Sequence, residues 1–298
     1  MESVPGINLS IQGQSLSVYS LRDVFGFERI PTIPEVAKNL FRQLQEPKIN
    51  FARFTDSLRF DPGLVCALVG AANAKLNGSA EVNCIQNAIL ECGPRKSVEI
   101  LQQVSQQPEL EEGIRRELLE NAWANCITQG IAAESLQPSA FQDEVSAMFL
   151  VGLLSDIGIL ALIQAYPEDY YQKVWSCQSG LVDLQTLEQE VFGFSHVTVG
   201  HELARIWRLG ESFSSAILQH HLRGNGSFLT IIAQASSGIL EVLNAGDAGK
   251  EKREGLQRQL EECFRMSGKE VDLLLEKVRQ RRDSVLRNLG LRRAFSAC

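Results

Sequence analysis

Apolar residues recur at three- and four-residue intervals over most of the chain, the period of amphipathic α-helices. Thr32-Ile33-Pro34-Glu35 has the form of a capping box with a first-turn proline, and Val36, Leu40, Phe41 and Leu44 then share one helical stripe. Asn50 is placed to cap a helix carrying Phe51, Phe54 and Leu58. Asp61-Pro62 starts another, with Leu64, Val65, Leu68, Val69 and Ala72 inward. Asn83 with Gln86 has the form of a further capping box, and Gly93-Pro94 stops that helix. More helices are expected near 95–106, 111–134, 141–165, 184–192, 195–207 and 211–222, and from Phe228 to about Leu243. Two amphipathic helices close the chain, one carrying Leu256, Leu260 and Phe264, the other Val271, Leu275, Val278, Val285 and Leu289. The exception is the start. Ile7, Leu9 and Ile11, then Leu16 and Val18 beyond Gln12-Gly13-Gln14, alternate with polar residues as in a short β-hairpin.

The pattern is that of an all-α protein of short helices and short connections. It loosens at Gly224-Asn225-Gly226-Ser227 and again between Asn244 and Lys250. With 298 residues and 44% hydrophobic content, the chain can bury a sizeable core. A net charge of −7 argues against a nucleic-acid surface over the whole molecule. No unbroken apolar run reaches transmembrane length, so no membrane partner is expected. Met1 to Ile11 contains Glu2 and no basic residue, unlike a secretory signal. The seven cysteines are odd in number and never spaced Cys-x-x-Cys. They fit reduced, mostly packed thiols and a cytoplasmic location. Phosphate-binding glycine loops, a Gly-x-Ser-x-Gly elbow and His-Glu-x-x-His are all absent, which removes support for P-loop, serine-hydrolase and zinc-protease chemistry.

Asp156 stands out. It lies in Leu153-Leu154-Ser155-Asp156-Ile157-Gly158, inside a long apolar stretch, where an unpaired carboxylate is costly. All four histidines follow: His196, His201, His220 and His221. On a continuing helix, His220 and His221 would diverge by about 100° and could share a target only if the helix ended there. The simplest role for these imidazoles is hydrogen bonding to backbone or to Asp156. A pocket for a small ligand or a stray metal is the alternative. Trp123, Trp175 and Trp207 are expected as core anchors.

The order of short landmarks resembles the HDOD domain. They are Ile33-Pro34-Glu35-Val36, Asp61-Pro62 with Leu64, Ala72-Asn73, Gly78, Ile85, Ala88-Ile89 and Gly93, then Trp123, the Asp156 block, Glu190, Gly193, His196, Gly200, Trp207 and His220-His221. The likeness spans roughly residues 29–225. It implies an all-helical fold of two lobes, residues 29–116 and an HD-like lobe at 117–243, between an N-terminal segment of residues 1–28 and a C-terminal helical extension of residues 244–298. The second lobe is similar to HD phosphohydrolases, which hold metal through a His…His-Asp…Asp set and use it to activate water. By position, this chain departs from that set. Asn125 stands for the first His, Ser155 for the His of the pair and Ser236 for the closing Asp, leaving Asp156. One carboxylate binds a divalent ion poorly, so no metal, cofactor or catalytic residue is expected. Asp156, His196, His220, His221, Asn125, Ser155 and Ser236 are then candidates for a vestigial or ligand pocket.

Proteins with this domain are bacterial and linked to signalling. The resemblance therefore implies a non-catalytic regulatory module that binds a protein partner or a small signalling ligand. Two alternatives stay open. One is a metal-dependent phosphohydrolase with an atypical site of Asp156, His196, His220 and His221. The other is a nucleic-acid-binding regulator. From Lys277 to Cys298 there are seven basic residues and a single acid, Asp283, which also suits a solvated helix face. The apolar side of that helix could dock on the body of the protein or on a second copy as a homodimer.

Overall fold

The computed structural model describes residues 19–21, 24, 30–46, 50–77, 82, 84–105, 113–136, 145–177, 183–222, 224–245 and 249–291. The expected hairpin between Ile7 and Val18 lies outside them. Among the described residues the regular elements are all helical, as the apolar period requires. They are α1 (Pro34–Leu44), α2 (Phe51–Leu58), α3 (Pro62–Leu76), α4 (Ile85–Cys92), α5 (Pro94–Ser105), α6 (Ile114–Ser135), α7 (Val145–Leu154) and α8 (Ile157–Ala165). A short irregular helical run over 167–177 leads to α9 (Leu184–Phe192), α10 (His196–Ile206), α11 (Glu211–Gln219), α12 (Phe228–Ala245), α13 (Lys250–Phe264) and α14 (Gly268–Asn288).

Helices α1 to α5 pack mainly on one another, α7, α8 and α12 pack on the long α6, and α10 and α11 bridge α8 to α12. Asn50 caps α2 through the Arg53 amide, and Asp61 caps α3 through the Leu64 amide at 2.9 Å, both as the sequence implies. Thr32 does not cap α1. Ile33 holds the N-cap position, and the second oxygen of Asp61 accepts from its amide at 2.6 Å. One buried carboxylate thus serves two helix starts. Trp123 of α6 donates to the Pro31 carbonyl at 3.2 Å, tying α6 to the same segment. Cys84 is the N-cap of α4, its sulfur accepting from the Asn87 amide, and Asn83 lies outside the described residues. Trp123 is buried, whereas Trp175 and Trp207 are partly buried and pack against the core.

The single helix expected over 141–165 is two. The chain turns at Ser155 and Asp156 between α7 and α8. Two glycines explain the geometry. A Cβ on Gly152 would lie 2.4 Å from the Gln129 carbonyl oxygen, so α7 lies hard against α6. A Cβ on Gly158 would lie 2.0 Å from the His196 carbonyl oxygen, so α8 begins against the start of α10. A straight continuation of α7 could not reach both neighbours.

Helix α13 lies on α12 through Leu256 and Leu260, and α14 lies on α6 through Val271, Leu275 and Val278. Leu286 is buried near its end, and Val285 and Leu289 pack against the core from half-buried positions. The extension belongs to the same core cluster as the rest of the molecule. By window rather than unbroken run, Val145–Ala165 and Phe228–Ala245 are long and apolar enough to cross a membrane. Since 94% of the first window is buried inside the protein, it reads as the core of the fold.

Candidate functional site

The turn at Asp156 delivers its carboxylate to the junction of two other helix ends. His196 is the first residue of α10. His220 and His221 follow the last residue of α11, Gln219. Because α11 stops there, the adjacent imidazoles do not diverge; their ring centroids are 4.0 Å apart. His220 Nε2 lies 3.1 Å from Asp156 Oδ1, His196 Nε2 lies 3.7 Å from the same oxygen, and His196 Nε2 lies 3.0 Å from His221 Nε2. One ligand atom from each of Asp156, His196, His220 and His221 falls within 4.8 Å of the other three. The first three residues are buried; the His221 side chain is 30% exposed.

Each imidazole is also held from outside. His196 Nδ1 faces Glu188 Oε2 at 2.5 Å, and the same oxygen accepts from the His196 amide at 2.7 Å. Glu188 therefore caps the start of α10 as well as orienting its first side chain. Its other oxygen accepts from the Tyr170 hydroxyl at 2.8 Å. His220 Nδ1 faces the Ile217 carbonyl oxygen at 2.7 Å. His221 Nδ1 faces Ser237 Oγ at 3.4 Å, with Glu241 Oε1 at 3.9 Å.

Charge follows this wiring. Burial alone would raise the Asp156 carboxyl, but the hydrogen bond to His220 and the charges of His220, His196 and His221 hold it well below the usual carboxylate range. Burial would lower His196, and Glu188 and Asp156 together push it up instead. Burial, with His220 and His196 alongside, holds His221 down to about 3.

Several expected members stand elsewhere. Ser155 Oγ donates to the Val151 carbonyl one turn back in α7, and Ser236 Oγ to the Ala233 carbonyl of α12. Asn125 accepts from the Asn244 amide at 3.3 Å. His201 turns to the Ser214 carbonyl. Glu190 is exposed. Two residues that the sequence reading passed over do the work instead. Gln129, one turn beyond Asn125, donates to Asp156 Oδ2 at 2.5 Å, and Glu188, two residues before Glu190, is fully buried. Both carried a signal. Glu188 falls on the stripe of Leu184 and Val191, and Gln129 sits where α6 is buried on every side.

The metal set of the HD pattern does not fit these residues, since two of its positions carry hydroxyls bonded to their own helices and a third faces Asn244. A cavity of about 30 Å³ opens beside His220 and His221, between Ser237 and Glu241 of α12 and Lys252 and Leu256 of α13. It has room for a water or an ion.

No curated protein matches this sequence. Among solved structures, the chain is similar to the MmoQ response regulator from Methylococcus capsulatus str. Bath, with 21% identity over 82% of this chain and 97% of that one, and a TM-score of 0.67. It is also similar to a virulence factor from Campylobacter jejuni subsp. jejuni, with 15% identity over 87% and 94% of the two chains and a TM-score of 0.67. At these identities the likeness is one of fold. The HDOD domain model matches residues 30–222, which hold α1 to α11 and every member of the Asp156 cluster, and this chain therefore belongs to the HDOD family.

Proposed function

We propose that this protein is a non-catalytic regulatory module of bacterial signal transduction, working by contact with a protein partner or a small ligand. The observation that carries the reading is the fate of the three replaced positions. Ser155 and Ser236 donate to carbonyls of their own helices and Asn125 turns to Asn244, so none of the three supplies the imidazole or carboxylate that the HD pattern needs for a hydrolytic ion. The surviving carboxylate is occupied by the Gln129 amide and by His220. The fold shared with a response regulator is in keeping with a signalling role.

A metal-dependent phosphohydrolase is the second reading, favoured by the four ligand atoms within 4.8 Å. Turnover of bis-p-nitrophenyl phosphate with added Mn²⁺ or Mg²⁺ separates the two. The regulatory reading expects no release above buffer. Chelator-sensitive release that disappears in Asp156→Ala would overturn it.

A further inference from the structure

We infer that Asp156, His196, His220 and His221 form a binding site for one divalent cation of the zinc class, with a ligand set different from that of the HD pattern. The inference adds to the regulatory reading and does not depend on it.

A backbone carbonyl can only accept, so the contact of His220 Nδ1 with the Ile217 oxygen puts the hydrogen on Nδ1. Glu188 already accepts from the His196 amide and the Tyr170 hydroxyl, so its contact with His196 Nδ1 places a hydrogen there too. His221 Nδ1 meets Ser237 Oγ at 3.4 Å, a hydroxyl that can accept from it. In a neutral imidazole with hydrogen on Nδ1, Nε2 is a bare lone pair. All three Nε2 atoms point inward, at one another and at the Asp156 carboxylate.

Inside, acceptor would meet acceptor if the imidazoles were neutral, and only protons on His220 and His196, or a bound cation, relieve the two close contacts. His196 Nε2 lies 3.0 Å from His221 Nε2, and His220 Nε2 lies 3.1 Å from Asp156 Oδ1. Lone pairs this close, away from water, repel unless a positive charge sits between them. A proton can bridge one pair. A divalent cation can meet all four atoms together. Imidazoles whose other nitrogen is anchored by a carboxylate, carbonyl or hydroxyl are the usual arrangement at such ions, since the anchor fixes ring and tautomer.

The donors name the class of ion. Three imidazole nitrogens and one carboxylate oxygen suit zinc and its borderline neighbours, not magnesium or calcium, which prefer oxygen alone. Four protein ligands also close the set. A hydrolytic zinc site keeps a position for water, while a closed one holds structure. Here the ion would join the α7–α8 turn, the start of α10 and the end of α11.

The test uses the full chain carrying Cys177→Ser, Cys263→Ser and Cys298→Ser, which removes the two thiols exposed among the described residues and the terminal one, so that they do not bind zinc on their own account. Chelator-stripped protein is dialysed against Zn²⁺ or Co²⁺, and metal content, the cobalt visible spectrum and thermal midpoint are measured. We expect one ion per chain, the intense bands of four-coordinate cobalt without a thiolate charge-transfer band, and a zinc-dependent rise in midpoint. His221→Ala, at the partly exposed ligand, should keep the helical circular dichroism and lose affinity roughly 100-fold. Glu188→Gln leaves every ligand in place and should lose about 10–100-fold through the anchor alone. Substoichiometric metal in the parent chain, or equal affinity in both variants and the parent, would overturn the site and leave the regulatory reading untouched. Two ions per chain would overturn the single-ion form. Phosphodiester turnover by the one-ion protein would sink the regulatory reading and leave the site standing.

Discussion

Each histidine of the cluster has a different environment, and His221 shows the consequence most openly. Burial and its charged neighbours hold it down to about 3, whereas an unfolded imidazole titrates near 6.5. Between those values the unfolded chain takes up a proton that the folded chain refuses, so stability falls as pH falls through that window. Asp156 acts in the same sense at lower pH, because its carboxyl is held below its ordinary range and its contribution fades as it protonates. In chelator-treated protein, His221→Gln should therefore show a shallower fall of urea stability between about pH 6.5 and 4 than the parent. Equal slopes would mean that the ring is not desolvated as described. The residue scale is also where the sequence was most deceptive. Asn125, Ser155 and Ser236 align with ligands, but side-chain direction within a helix is decided by what packs against it. One turn of α6 puts Gln129 and not Asn125 on Asp156.

At the scale of the element, the site depends on where helices stop. The α7–α8 turn and the end of α11 each aim a side chain that a continuing helix would have turned away. Gly158 is the residue that lets α8 and α10 meet, since any Cβ there would strike backbone rather than a yielding side chain. Gly158→Ala should cost more than about 3 kcal/mol, at the upper end for a single overpacked position. Gly238→Ala is the control. Its Cβ would meet Leu256 Cδ1 at 3.2 Å, an atom that can shift, so it should change stability by about 1 kcal/mol or less. Denaturant midpoints of the two variants decide this, and a mild Gly158→Ala would show that α8 can move off α10.

Across the whole molecule, the basic C-terminal helix turns out to be partly spent inside the protein. Arg281 pairs with Glu134 at 2.7 Å, and the other side of Glu134 takes Arg59 at 3.0 Å, so one carboxylate ties α14, α6 and the α2–α3 connection together. Arg59 also lies over the Phe149 ring at 3.9 Å. Arg279 pairs with Glu276 and Arg282 with Asp283, which leaves less positive charge for nucleic acid than the sequence count suggested. Removing Glu134 leaves two half-buried guanidinium groups facing each other. Glu134→Ala should lower stability by about 1–3 kcal/mol in urea, more than exposed pairs cost. An unchanged midpoint would show that the extension is held by its apolar face alone. The sequence by itself determined the helical class, nearly every helix, the capping role of Asn50 and Asp61, and the family. Those follow from local period and end chemistry, which neighbours in the chain carry. It also brought forward Asp156, His196, His220 and His221. Only the tertiary structure decided that these four converge, that Glu188 and Gln129 serve them, and that one apolar helix is two. Those depend on close backbone approach and on side-chain direction at helix ends, which are set by partners tens of residues away.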